Sequence, residues 1–385
     1  MMKIVMTLSN PFKPDPRVYK EARSLVKHGY EVTIIAWDRE EKYPEEELYE
    51  GIKIKRIKLK SEYGNFLDFI FKLPLFYLKA LLILLKEDFD IIHTHDFDTA
   101  LLGAIFKLLR KKRWVYDIHD IYFTRISLLK EKDSHSLVHS LLHWWEVIFA
   151  KWADIVIVVT RSLGGKHGGF KEFYISFGIP PDKIKVIWNT PIRSIFSCYP
   201  RLNLKKGNRL TVGYIGSIRT VSNFIPLFEV AKKRGYKLLF VGDGKSRKDV
   251  EKLAHNYPEV DVEFMNNVPY ELVPNYFKLC DVMYSYYPST ENIRRTVAVK
   301  VFESALLGIP AVVNGDSLMK DFVTIYHCGI PLDELTPEKL EEAIEKAKNL
   351  KFSKKPFREK WVWERQEKRI IEIYNNMVKN LTKIY

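Results

Sequence analysis

Lys300 and Glu303 carry the chemistry that is easiest to name in this 385-residue chain. They lie in residues 297–314, VAVKVFESALLGIPAVVN, where an i, i+3 spacing sets both side chains on one helix face. Gly308 and Pro310 then end the helix ahead of a short buried strand at Ala311–Val313. A diphosphate attracts a cation and a ribose diol a carboxylate, so the pair outlines a nucleotide-sugar site. Spacing alone leaves a second reading open, a salt bridge on an ordinary helix. The other candidates sit where strands end. Residues 93–98, HTHDFD, bring His93, His95 and Asp96 to one strand end, but His-x-His needs further ligands before it can hold zinc. Residues 114–120, WVYDIHD, bring Asp117, His119 and Asp120 to another, where the imidazole either moves a proton or is a satisfied structural group. The loop SNPFKPDPR, residues 9–17, opens a helix whose N–H groups can face an anion; Asp15 and Arg17 there serve a ligand or pair within the loop. The glycines of TVGYIGSIR, residues 211–219, and of GDG, residues 242–244, allow close backbone approach to a ligand.

Positioning these groups takes strands that stop together, and the chain alternates short β-rich runs with amphipathic stretches. Strands are expected at Lys3–Leu8, Glu31–Ala36, Ile52–Ile57, Asp90–Thr94, Trp114–Ile118, Asp154–Val159 and Lys185–Ile187. A basic loop, Tyr199–Asn208, interrupts the pattern. A second series follows at Leu210–Ile215, Lys237–Val241, Val260–Phe264, Val282–Ser285 and Ala311–Val313. The fold class is therefore α/β, with two doubly wound parallel sheets whose strand ends would face a common ligand. Near the end, Thr336 caps a helix through Leu350, and Trp361–Val378 reads as another, with Ile370, Ile371, Ile373, Tyr374 and Met377 apolar.

Length implies about two domains, and 46% hydrophobic residues give enough apolar surface for packed cores and exclude disorder. A net charge of +14 favours polyanions or phosphorylated ligands, while the absence of any nucleic-acid-binding motif argues against nucleic acid. Abundant Lys and Glu also fit a heat-adapted surface. Three scattered cysteines, Cys198, Cys280 and Cys328, point to a reducing compartment. The opening MMKIVM is too short for a signal peptide and reads as a strand, so a cytoplasmic location is expected. One further signal concerns membranes. Phe66–Leu85 is apolar but broken by Asp68, Lys72, Pro74 and Lys79, so it would lie on a bilayer rather than span it. With Trp144 and Trp145 of the stretch Tyr122–Trp152, and the basic run Lys107, Arg110, Lys111, Lys112 and Arg113, it could grip anionic lipid at the inner face of the membrane. Core-packing helices with a solvated basic face are the other reading.

The segment around Lys300 and Glu303 resembles the K-x-x-E…G-x-P-x-V segment of family 4 glycosyltransferases, also called glycosyl transferases group 1. D-x-R before the first helix, D-I-H-D at residues 117–120, G-Y-I-G-S-I-R at 213–219 and G-D-G at 242–244 resemble the same family's motifs in the same order, and the resemblance covers nearly the whole chain. It implies a GT-B fold: residues 1–199 a Rossmann-like acceptor domain and residues 208–352 a Rossmann-like donor domain, with a C-terminal helix in 361–385 packing back on the first. It implies a hexosyltransferase that moves a sugar from a UDP- or GDP-sugar to a hydroxyl acceptor with retention, in the synthesis of a lipid-linked or cell-surface glycan, without an obligatory metal or other cofactor. Gly216, Ser217, Arg219, Gly242, Lys300 and Glu303 would then hold the nucleotide and phosphates. His119 would lie beside the transferred sugar, with Asp117 and Asp120 orienting it, and Asp15, Arg17, His95 and Asp96 would border the acceptor. Asp96-Phe-Asp98 also matches the Asp-x-Asp of metal-dependent transferases of the other large fold, against which the double-sheet pattern argues. One departure stands out. Many members carry a second Glu where this chain has Arg295, and Glu291 and Asn292 are the nearby substitutes for contact with the donor sugar. That substitution keeps alive a catalytically silent protein of the same fold, and a sugar-nucleotide epimerase shares the fold too.

Overall fold

The computed structural model describes residues 1–13, 15–62, 66–122 and 137–381, apart from the side chains of 66–69, 137–139, 380 and 381. The chain divides into two compact units. Residues 1–159, 170–188 and those from Glu367 onward form the first, and residues 160–169 and 189–366 form the second. Residues 189–199, expected with the first domain, group with the second, where the Arg193 N–H donates to Glu364 at 3.1 Å.

Val, Ile and Leu dominate the central strands because both faces of a parallel sheet are covered by helices. The first unit has β1 Lys3–Leu8, β2 Glu31–Asp38, β3 Glu46–Tyr49, β4 Ile52–Lys58, β5 Ile91–His95, β6 Arg113–Ile118, β7 Ile155–Val158 and β8 Ile184–Val186 in the order β3-β4-β2-β1-β5-β6-β7-β8. Only the β3–β4 pair is antiparallel. β3 was not expected from the sequence because EELY is too polar for a strand pattern. It is an edge strand held by charge, with Arg56 on Glu47 at 2.8 Å. Tryptophans fill the layer between sheet and helices: Trp37 stacks on Phe76 at 4.9 Å and Trp114 meets Phe149 edge-on at 6.1 Å.

The second unit has β9 Thr211–Ile215, β10 Lys237–Val241, β11 Asp261–Met265, β12 Val282–Ser285, β13 Ala311–Asn314 and β14 Gly329–Leu332, ordered β11-β10-β9-β12-β13-β14 and parallel throughout. β14, GIPL, escapes sequence reading since Gly and Pro are tolerated in a strand mainly at a sheet edge. The helix Val299–Leu307, ended by Gly308 at φ +84°, delivers Lys300 and Glu303. Phe302 on its other face stacks on Trp361 at 5.3 Å, which also meets Phe322 at 5.2 Å, and this packing fixes the rotation of the helix. The last described helix is Trp363–Leu381, on which Asn375, in the first unit, accepts from Tyr30 at 2.7 Å.

The helix Phe97–Arg110 approaches β6 so closely that a Cβ on Gly103 would lie 2.1 Å from Nε1 of the buried Trp114. Gly103→Ala should therefore destabilise the first unit by about 1–3 kcal/mol, the cost of overpacking a rigid core, read as a lower urea midpoint by tryptophan fluorescence. Gly207→Ala, whose methyl meets nothing within 4 Å, serves as the control. An unchanged midpoint for Gly103→Ala would refute the packing described.

Candidate functional site

In the second unit the chemistry gathers where β9, β10 and the helix Val299–Leu307 converge. Lys300 is buried, its Nζ has no hydrogen-bond partner among the described residues, and it lies 3.4 Å from the centroid of the Tyr214 ring. Tyr287, pinned through its backbone by Asn314 at 2.9 and 2.7 Å, lies 5.5 Å away. Gly216, at φ +129°, lies against the lysine: a Cβ there would be in ordinary contact with Lys300 Nζ at 3.4 Å, so it is the backbone conformation that calls for glycine. Burial lowers the ammonium pKa to about 7; Glu303 pulls the other way, and Arg219 adds to the depression. One turn along, Glu303 is buried and accepts from the Tyr270 hydroxyl at 2.6 Å. The first turn of that helix has no side-chain cap, so its N–H groups point their partial positive charge toward the same region. Two cations, free amide ends and a held carboxylate suit a ligand with an anionic part and a hydroxylated part.

Two glycine loops shape this region by zipping together. The N–H of Gly216 donates to Val241 at 2.8 Å and that of Ile218 to Asp243 at 2.9 Å. Gly242 is at φ +126°, and a Cβ on it would stand 2.4 Å from the Gly216 carbonyl oxygen, so no other residue fits. Behind them Arg247 donates to the Gly242 and Met265 carbonyls at 2.6 and 2.8 Å.

In the first unit, Asp117 at the end of β6 is fully buried and gathers cations. Arg17 donates to its two oxygens at 3.0 and 3.2 Å, and His119 Nε2 reaches Oδ2 at 2.8 Å. The other His119 nitrogen lies 3.7 Å from Asp96. Burial would lower the His119 pKa, but Asp117 and then Asp96 outweigh it and raise it to about 10, so the ring is an imidazolium at neutral pH. His95 Nδ1 sits 3.2 Å from His119 Nε2, and His93 Nδ1 pairs with the Tyr374 hydroxyl at 2.7 Å. Glu21, also fully buried, lies 3.0 Å from Arg17; burial, followed by the charge of Asp117, pushes its pKa up to about 8. Glu21, His93, His95 and Asp117 bring possible metal-ligating atoms within 4.8 Å of one another. Arg17 already lies against both carboxylates of that set, so their charge is met by a guanidinium, which makes the set a poor fit to a metal ion.

Comparison with known proteins decides the family. The model of Glycosyltransferase Family 4 matches residues 17–190 and that of Glycosyl transferases group 1 matches residues 199–367. The chain belongs to the family 4, group 1 glycosyltransferases. An uncharacterized glycosyltransferase of Methanocaldococcus jannaschii is 24% identical, the match covering 92% of this chain and 91% of that one. Among solved structures, sucrose-phosphate synthase from Thermosynechococcus elongatus superposes with a TM-score of 0.79 at 17% identity, over 99% of this chain and 100% of the other. HepE of Anabaena, solved in complex with UDP-glucose, gives 0.67 at 15% identity over 98% and 100%. The fold is GT-B, and the chain is a transferase.

The residues expected at this glycosyltransferase's site fall into distinct roles. Lys300, Glu303 and Gly216 come together, with Arg219 close enough to perturb Lys300; Arg219 Nε donates to Ser217 at 3.3 Å. Gly242 owes its conformation to the neighbouring loop. Glu291, offered with Asn292 as a candidate for the donor-sugar contact, accepts from Arg295 at 3.0 and 2.8 Å in the short helix Glu291–Arg295, with Asn292 next in sequence. Asp15 caps the helix Pro16–Lys27 by accepting from Val18 N at 3.1 Å and takes an Asn10 amide, so its visible role is in the loop. Arg17, expected at the border of the acceptor, is instead buried beneath Asp117, because two buried carboxylates draw it inward. Asp96, at φ +59°, accepts from the N–H groups of His119 and Asp120 at 2.8 and 3.2 Å and so shapes the end of β6. Asp120 is thereby placed by its backbone, while Asp117 orients His119 directly. Tyr270, Tyr214, Tyr287 and Glu21 were not singled out in the sequence: no spacing links the tyrosines to Lys300 and Glu303, and the i, i+4 pair of Glu21 with Arg17 does not show that both are buried.

The depressed Lys300 pKa has a sign that stability can read. The folded protein binds fewer protons than the unfolded chain between pH about 7 and 10.5, so the cost of burying the cation is full below pH 7 and fades toward 10.5. Lys300→Met should raise the unfolding free energy at pH 6 by about 1–3 kcal/mol after the lost cation–π contact is allowed for, read as a higher urea midpoint, with the gain shrinking as pH rises toward 10. A variant destabilised most at pH 6 would mean that the ammonium is stabilising where it sits.

Proposed function

We propose that the second unit binds the nucleoside diphosphate part of a UDP- or GDP-sugar, and that the protein transfers the sugar to a hydroxyl acceptor with retention. The observation that carries this reading is Lys300, a buried ammonium without a hydrogen-bond partner among the described residues, beside a glycine and with a carboxylate one turn further on. The diphosphate takes Lys300, Arg219 and the uncapped amides of the Val299–Leu307 helix, and the ribose diol takes Glu303, which Tyr270 holds in place. As the glycosidic bond breaks, negative charge accumulates on the departing diphosphate, where these cations act most strongly. The complex of HepE with UDP-glucose supports a UDP-sugar donor here. The reaction needs no obligatory metal in this reading, because protein cations neutralise the leaving group.

His119 is assigned to the transferred sugar and the incoming hydroxyl, held by Asp117 and Asp96 on its two ring nitrogens. The acceptor is a lipid-linked or cell-surface glycan precursor, and the protein works in the cytoplasm against an anionic membrane surface. Basic and apolar helices in the first unit support that part.

Glu303→Gln should weaken binding of the cognate nucleoside diphosphate sugar by about 1.5–3 kcal/mol, the scale of a charged hydrogen bond, in a titration across a donor panel. Undiminished affinity and turnover in the folded variant would rule out the ribose contact. His119→Ala should leave donor affinity within a few-fold while transfer falls about 100-fold or more. Parallel loss of both would make His119 structural. Release of nucleoside diphosphate only when acceptor is present separates transfer from epimerisation, which would yield an isomerised donor without acceptor.

A further inference from the structure

The helices Phe66–Lys86, Phe97–Arg110 and Leu137–Trp152 of the first unit expose apolar residues in stripes. On the first, Phe76, Ala80 and Leu84 are fully buried on one side, while Phe71, Leu75, Leu78, Leu82 and Leu85 are 40–76% exposed on another, at alternating spacings of four and three. Leu101, Leu108 and Leu109 are exposed on the second helix, and Leu141, Trp144, Trp145 and Trp152 on the third. The stripes belong to neighbouring helices. Arg110 donates to the Leu85 carbonyl at 2.7 Å, and Lys107 donates to that of Trp152 at 2.7 Å. Of the 20 large hydrophobic residues exposed among the described residues, 13 lie on these three helices, so the exposure is a local surface and not general scatter. Among the described side chains, no helix is long and apolar enough to cross a membrane.

Charge decides what covers this surface. Every charged side chain at an exposed, described position of the three helices is basic: Lys79, Lys86, Arg110 and Lys151. A second copy docking by twofold symmetry would set this face against itself, lysine toward lysine, with no carboxylate at an exposed, described position of the helices to pair, Asp98 and Glu146 being buried. An anionic lipid surface takes both features at once. Leucines and indoles enter the headgroup boundary while the cations meet phosphates. Trp145 is braced for this by Phe149 at 5.7 Å.

We infer that this three-helix face is a monotopic docking surface for anionic lipid, seating the first unit on the membrane without spanning it. The inference deepens the proposal of a membrane-proximal acceptor, but its test does not need that acceptor. Cosedimentation of the full chain with phosphatidylcholine vesicles, with and without phosphatidylglycerol, should show binding only when phosphatidylglycerol is present. Binding should weaken at least several-fold between about 0.05 M and 0.5 M salt, as screening of exposed cations requires. The triple variant Leu78→Glu, Leu82→Glu, Leu109→Glu should lose at least about 10-fold of vesicle binding, whereas Leu48→Glu, at an exposed leucine of β3, should not. A far-UV circular dichroism spectrum and a cooperative urea transition like those of the parent protein confirm that the triple variant is folded. Absence of vesicle binding at low salt, full binding by the triple variant, or a dimer in sedimentation velocity that the triple variant dissolves would each overturn the inference. Vesicle binding combined with efficient transfer to a soluble sugar would remove the lipid-linked acceptor and leave the docking surface standing.

Discussion

A buried ammonium group, Lys300, without a hydrogen bond among the described residues is the constraint on which the second unit turns. Isolated buried charge is costly, and Lys300 is met by the Tyr214 and Tyr287 faces and by the charge of Glu303, with the stack of Phe302 on Trp361 behind its helix. Arg219 makes the field more positive, and Glu303 is drawn aside by Tyr270. Such an arrangement is poor for stability and good for an anion, which is the trade that binding sites make with folds. The paired glycine loops follow from the same need, because Gly242 must pass within touching distance of Gly216 for the loop to lie beside the lysine.

The first unit solves a different problem. Asp117 is buried among Arg17, His95 and His119, and its charge is what keeps the His119 ring protonated and oriented. Arg17 and Glu21 arrive one turn apart on the first helix, and Tyr374 of the last helix reaches His93, so chain segments far apart in sequence fix one strand end.

Most strands and the two-sheet architecture were legible because parallel strands buried on both faces are nearly continuous apolar runs. β3 and β14 were not, since an edge strand can be polar, as EELY is, or interrupted, as GIPL is. Lys300, Glu303 and Gly216 were legible through local spacing. Arg17 was read as a ligand neighbour, but its burial depends on two carboxylates, one of them 100 residues away, which no local pattern encodes. The tyrosines around Lys300 were missed for the same reason. Membrane contact was ambiguous in sequence because an amphipathic helix shows its period without showing which face is covered; exposure of Phe71, Leu75, Leu78, Leu82 and Leu85 favours the outward face.

The central claim, that Lys300 receives the diphosphate of a sugar nucleotide, is tested most directly by calorimetric titration of nucleoside diphosphate sugars at pH 8 in buffers of different ionisation enthalpy. Lys300 is mostly neutral there, so an anion that restores its charge should draw about one proton from the buffer per molecule bound, and Lys300→Met should abolish that uptake. Tight binding without proton uptake, or uptake that persists in Lys300→Met, would contradict the account.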